Sequence, residues 1–211
     1  MTTQSGTPIQ WRFALKWVAA NALGLTFGQI GGLFAGFAVG GFLVPVAGQA
    51  AGALAAFAAH GAVTGASIGL MQRIYLRQEI DLTRQWILAS SLGWAIGSLA
   101  VTWIASMAGA ALDELSGALS WALIGVSVGS MQWLILRQQV HQAAGWVLAN
   151  IVGWLMAPPV AALGGVVIGP LVANLGNTAV LIMASALTGA AAGVFTGTAL
   201  VWLLRHPVQQ A

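Results

Sequence analysis

Six apolar segments occupy most of this chain, with approximate cores at 17–40, 52–74, 85–106, 117–136, 146–166 and 178–203. Each is close to the roughly 20 residues that cross a bilayer as an α-helix. Helices are required there, because lipid offers no partner to a backbone N–H or C=O, and no alternating barrel-strand pattern is present. Charge is too scarce for a soluble alternative. Only 5% of the residues are charged and 59% are hydrophobic, whereas soluble domains carry about a quarter charged residues. The sequence therefore predicts an all-α membrane protein with six transmembrane helices. A single membrane domain over 1–211 is expected, its first ten residues, 1–10, a disordered tail.

The segments repeat in pairs. Trp17, Asn21, Gly24 and Gly28 match Trp86, Ser90, Gly93 and Gly97, and again Trp146, Asn150, Gly153 and Ala157. The even segments close on a second pattern: Gly65, Gly69, Gln72 and Arg77 match Gly125, Gly129, Gln132 and Arg137, and then Gly193, Gly197, Leu200 and Arg205. Three two-helix hairpins follow, at about 11–78, 81–138 and 142–206. Each holds an even number of crossings, so the three share one orientation, and a pseudo-threefold arrangement about the membrane normal is expected. The repeat also argues against a cleavable signal peptide at the N-terminus. The run from Trp17 to about Val44 exceeds the roughly 7–15 residues of a secretory apolar region, and it is copied inside the chain.

With six crossings, Arg12, Lys16, Arg73, Arg77, Arg84, Arg137 and Arg205 all fall on one side, while the opposite loops carry only Asp113 and Glu114. By the positive-inside rule both termini are cytoplasmic. Trp11, Trp17, Tyr75, Trp86, Trp133, Trp146 and Trp202 cluster at the same level and are expected to form an interfacial aromatic belt. Asp113 and Glu114 are expected just before the fourth helix, where its dipole favours negative charge. The sequence pI of about 10.7 comes from seven basic against four acidic residues. Their placement suits a membrane surface and gives no pointer to nucleic acid.

Glycines spaced by four are the clearest packing signal. Gly61, Gly65 and Gly69, then Gly125 and Gly129, then Gly189, Gly193 and Gly197 each lie along one helix face, as do Gly24, Gly28, Gly32, Gly36 and Gly40. Such stripes let helix backbones approach closely. Intramolecular packing is the expected role; a zipper for self-association, or a pore lining, is the alternative. The first helix holds more glycine than a hairpin contact needs. The candidate ligand contacts are His60, Gln72, Gln132, Asn21 and Asn150. Antiparallel pairing brings Asn21 level with Gln72, and Ser90 level with Gln132. These pairs are expected to staple each hairpin at roughly 0.6–2 kcal/mol apiece, or else to form a polar layer that binds a headgroup or ion. His60 is the one ionisable group well inside a segment, and such groups are functional candidates by default. A neutral histidine bonded to a neighbouring helix is the expected state. Arg77, Arg137 and Arg205 suit lipid headgroups. Pro158 and Pro159 are expected to interrupt the fifth helix.

The phrase Gly-x-x-x-Gly-x-x-Gln-Trp-x-x-Leu-Arg, followed by Trp-Val-Leu-Ala-Asn-x-x-Gly-Trp, resembles bacterial integral membrane proteins, especially those of cyanobacteria and related phototrophs. Residues 125–154 carry the resemblance, and 65–97 carry it less well; Leu200 and the absence of tryptophan after Gln72 depart from the pattern. The resemblance implies a membrane module in a bacterial inner membrane, plasma or thylakoid, and implies no activity. Cysteine is absent, which removes thiolate metal sites and cysteine nucleophiles. No nucleophile–base set or phosphate loop is visible. The expected role is a non-enzymatic module without cofactor or metal, a structural or assembly subunit contacting lipids and other membrane subunits or further copies of itself. A small transporter or channel is the alternative, and pigment or lipid binding a weaker one.

Overall fold

The computed structural model describes residues 11–77, 84–108 and 113–205, excluding the side chains of 108 and 113–116. The 1–10 tail and the expected repeat boundaries at 78, 81 and 206 lie outside the described residues. The fold is all-helical: α1 (Trp11–Ala47), α2 (Gln49–Leu76), α3 (Arg84–Ala108), α4 (Asp113–Leu136), α5 (Gly145–Val172) and α6 (Asn177–Leu204), with a 3-10 turn at Ala173–Leu175 before α6. All six are long and apolar enough to cross a membrane, which makes this a multi-pass membrane protein.

Each helix packs on its neighbours in sequence, and α6 packs back on α1, so the six form a closed ring. The register is antiparallel at every seam. Along α1, Gly24, Gly28, Gly32 and Gly36 meet Ile68, Thr64, His60 and Ala56 of α2 in that order. At the closing seam, Gly189, Gly193 and Gly197 of α6 meet Ala22, Val18 and Trp17 of α1. The odd helices therefore run one way and the even helices the other. Arg77, Arg137 and Arg205 stand at one end of the ring, called here the terminal face.

Two apolar clusters fill the middle of the ring. The one nearer the terminal face gathers Phe13, Trp17, Leu76, Trp86, Leu136, Trp146 and Leu200, and Val140 of the α4–α5 connector closes it from below. The second holds Leu25, Ile68, Trp94, Val128, Trp154 and Ala192, with Trp121 and Ile124 against it. Beyond Leu25, α1 continues for 22 residues to Ala47, about 33 Å at 1.5 Å per residue. Its buried glycines there, Gly28, Gly32 and Gly36, face α2.

Three sequence expectations change here. Prolines do not break α5, which runs unbroken through Pro158, Pro159 and Pro170. Its neighbours hold it, and a proline removes only one donor per residue, a loss that membrane helices absorb locally. Asp113 and Glu114 lie within the first turn of α4, not before it. The aromatic belt is the largest correction. Trp17, Trp86 and Trp146 are 0% exposed and belong to the core, while Trp11 is 69% and Trp202 46% exposed, as a belt requires.

Two turns far from the terminal face rest on a feature the spacing did not reveal. Gly48, the one residue between α1 and α2, has φ +85° and ψ 165°, and Gly176 before α6 has φ +88° and ψ 172°. That region is accessible only to glycine. A Cβ at Gly48 would meet no atom within 4 Å, so the penalty of Gly48→Ala is conformational alone. It is expected to lower unfolding free energy by about 1–3 kcal/mol, read as a shift in the unfolding midpoint in detergent.

Candidate functional site

Most of the buried polar side chains lie in one layer next to the three central tryptophans; Thr26, Thr64 and Ser185 are buried farther along their helices. The rings of Trp17, Trp86 and Trp146 pack with centroid separations of 6.0–6.4 Å. Each tryptophan lies within the first two turns of an odd helix, and its indole N–H reaches across to a neighbouring even helix: α6 for Trp17, α2 for Trp86 and α4 for Trp146. Trp86 Nε1 donates to Gln72 Oε1 at 2.9 Å, and Trp146 Nε1 donates to Gln132 Oε1 at 2.9 Å. The glutamine amides then point back within their own hairpins. Gln72 Nε2 donates to Asn21 Oδ1 at 3.0 Å, and Gln132 Nε2 to Ser90 Oγ at 2.9 Å, with a longer 3.5 Å approach to Gln72 Oε1. These are the two pairings expected from antiparallel packing. Asn21 Nδ2, Ser90 Oγ and Asn150 Nδ2 each bond the tryptophan carbonyl one turn earlier.

Leu200 lies five residues before Arg205, as Gln72 and Gln132 lie before Arg77 and Arg137, and offers no acceptor, so Trp17 needs another. It finds Thr196, one turn before Leu200: Trp17 Nε1 donates to Thr196 Oγ1 at 3.1 Å, and that hydroxyl donates on to Ala192 O at 2.8 Å. The corresponding positions in the other even helices are Ile68 and Val128. A glutamine lost and a threonine gained one turn away thus leave the indole satisfied. Sequence reasoning noticed the loss and missed the compensation, because Thr196 fits an apolar helix face as easily as valine does.

All of these groups are buried and bonded to one another, so they present no open ligand site. A buried unpaired amide or indole carries a desolvation penalty, and this network removes it. The tryptophan rings also block the ring's central axis. In the second cluster, Trp94 and Trp154 meet edge to face at 5.0 Å and Trp154 stacks on Trp121 at 5.9 Å. Trp94 Nε1 has no acceptor among the described residues; a perpendicular neighbouring ring is the kind of weak partner such an N–H can use.

The glycine stripes lie in the seams. Gly61, Gly65 and Gly69 of α2 approach Trp94, Ser90 and Ile87 of α3; Gly125 and Gly129 of α4 approach Asn150, Ile151 and Val147 of α5. Within hairpins, Gly93 and Gly97 meet Val128 and Ile124, and Gly153 meets Thr196. The glycines that seemed surplus on α1 are used too, since Gly32, Gly36 and Gly40 lie against His60 and Ala56 of α2.

Arg77, Arg137 and Arg205 are exposed at helix ends, and the Arg137 guanidinium lies 5.2 Å from the Trp133 ring centre. Arg73 differs from them. Its Nε is enclosed without an acceptor among the described residues, at the position that Trp133 and Val201 occupy in the other even helices.

Among the described residues His60 has no hydrogen bond to a neighbouring helix, in contrast to the expectation. It faces Gly32, which has no side chain to offer one, and it lines a cleft of about 550 Å³ between α1 and α2. Among the described residues no group of three His, Asp or Glu side chains is placed to hold a metal ion. Comparison with protein-family models, curated proteins and solved structures returns no match.

Proposed function

We propose that this protein is a non-enzymatic integral membrane module, a structural or assembly subunit of a larger complex in a bacterial inner membrane. In this reading the chain is three parallel hairpin repeats about a pseudo-threefold axis, with both termini cytoplasmic. Arg77, Arg137 and Arg205 meet lipid headgroups. The observation that carries the proposal is the filled interior: three fully buried tryptophans in mutual contact, with their indole donors satisfied by Gln72, Gln132 and Thr196. A transport path needs polar groups free to exchange partners with a moving solute; here they are bonded to each other.

The same geometry supports docking of partners on the outside of the ring. The α1–α2 and α5–α6 arms extend past the core with exposed apolar side chains, among them Phe34, Phe37, Phe42, Leu163, Val166 and Leu171. Purification in a mild detergent is expected to retain other membrane subunits or further copies of this chain. A bare, stable monomer would overturn the assembly reading. Proteoliposomes are expected to show no solute flux above empty vesicles, and flux lost in a Gln72→Leu/Gln132→Leu variant would put transport in its place.

A further inference from the structure

Beyond the scaffold role, we propose that the cleft between α1 and α2 binds a lipophilic ring carbonyl compound of the quinone class, with its polar ring at His60 and Gln29. The cleft holds about 550 Å³ and is lined by Gln29, Gly36, Phe37, Gly41, Phe57 and His60 among others. That volume lies within the range of small-molecule sites, which combine apolar walls with a few placed polar groups. Glycines leave room along the α1 side, and Phe37 and Phe57, both largely exposed, supply aromatic surface.

The polar end sets the ligand chemistry. Neither His60 nor Gln29 has a hydrogen-bond partner among the described residues, in contrast to the amides of the central layer. Unpaired polar groups surrounded by hydrocarbon carry a penalty that a ligand acceptor relieves. A neutral imidazole N–H and a carboxamide NH₂ are donors matched to carbonyl oxygens.

Depth selects among carbonyl-bearing lipids. Gln29 is 17 residues beyond Arg12 and His60 is 17 before Arg77, placing both about 25 Å from the terminal face along their helices. Both lie within a hydrocarbon core of about 30 Å. The cleft runs from there outward to Val44, so its polar end is the deep one. A phospholipid has the opposite polarity, with ester carbonyls at the interface and acyl chains inside. A compact ring carrying its own carbonyls satisfies the deep donors and tolerates apolar walls all round.

The test titrates the full chain in detergent with decyl-substituted benzoquinone and analyses an organic extract of the purified protein. Saturable binding is expected. His60→Leu is expected to weaken it about tenfold, the loss of one good hydrogen bond. Gly41→Phe is the second variant, because a Cβ at Gly41 meets no atom within 4 Å while the residue lines the cleft. It is expected to keep the wild-type melting temperature and its co-purifying subunits, and to lose binding. Unchanged affinity in folded Gly41→Phe would overturn the proposal, as would a wild type that does not saturate. A phospholipid in the extract that Gly41→Phe displaces assigns the cleft to an acyl chain instead. Loss of self-association in that variant assigns it to a second copy of the chain. Each of these last two results also rejects the quinone-class ligand, without touching the scaffold reading.

Discussion

Gly65→Leu is expected to cost about 4 kcal/mol or more, enough to abolish the folded ring, because it is a backbone–backbone clash that no rotamer relieves. The Cβ alone would overlap the Ser90 carbonyl oxygen, with the Ser90 carbonyl carbon and Trp94 Cβ both at 2.8 Å. Making room means separating α2 from α3 at the level of the central layer. Trp86 would move away from Gln72, so the steric fault becomes a hydrogen-bonding fault as well. Gly165→Leu on α5 is the control, since its Cβ meets nothing within 4 Å; it should change stability by about 0.5 kcal/mol or less. The ten tryptophans make fluorescence-monitored unfolding in detergent a direct readout. Equal midpoints for the two variants would show that the α2–α3 seam does not pack as described.

Gln132→Leu is expected to destabilise by about 2–4 kcal/mol, since it strips a buried donor, Trp146 Nε1, of its acceptor and Ser90 of its amide partner. Leucine fills similar space, so the loss is mainly polar. The closing seam between α6 and α1 shows how to repair it. Adding Val128→Thr, one turn earlier, places a hydroxyl where Thr196 stands relative to Leu200, and the Gln132→Leu/Val128→Thr pair is expected to recover about half of the loss. Val128→Thr alone should gain nothing, because Trp146 already has its acceptor. A double variant no more stable than Gln132→Leu would mean that Thr196 is incidental to how Trp17 is satisfied. The coupling between the two substitutions is the quantity to measure, as in any double-mutant cycle.

The sequence was informative where spacing alone carries the physics. Six segments of crossing length require helices in lipid, and glycines four apart put bare backbone on one face. The two amide pairings also followed from register, since antiparallel helices hold fixed partners at fixed depth. The tryptophans were misread for a physical reason. Trp17, Trp86 and Trp146 begin their segments one after another in the repeat, as belt residues do, and indole suits both a headgroup level and a buried layer. In a soluble protein, burial follows hydrophobicity; in a membrane the lipid-facing and core-facing sides are equally apolar, so hydropathy does not separate them. The continuity of α5 through Pro158 and Pro159 was hidden in the same way, because what tolerates a proline there is the packing of its neighbours.

The sequence by itself determined the all-helical class and the six helices of crossing length, because solvation of backbone and charge by a bilayer permits few solutions. Tertiary structure decided that α6 closes on α1, that the indoles point inward, that Thr196 replaces a missing glutamine, and that His60 looks into a cleft. These are matters of azimuth around each helix. A residue's depth follows from counting, but which way it faces depends on neighbours up to 179 positions away, as with Trp17 and Thr196.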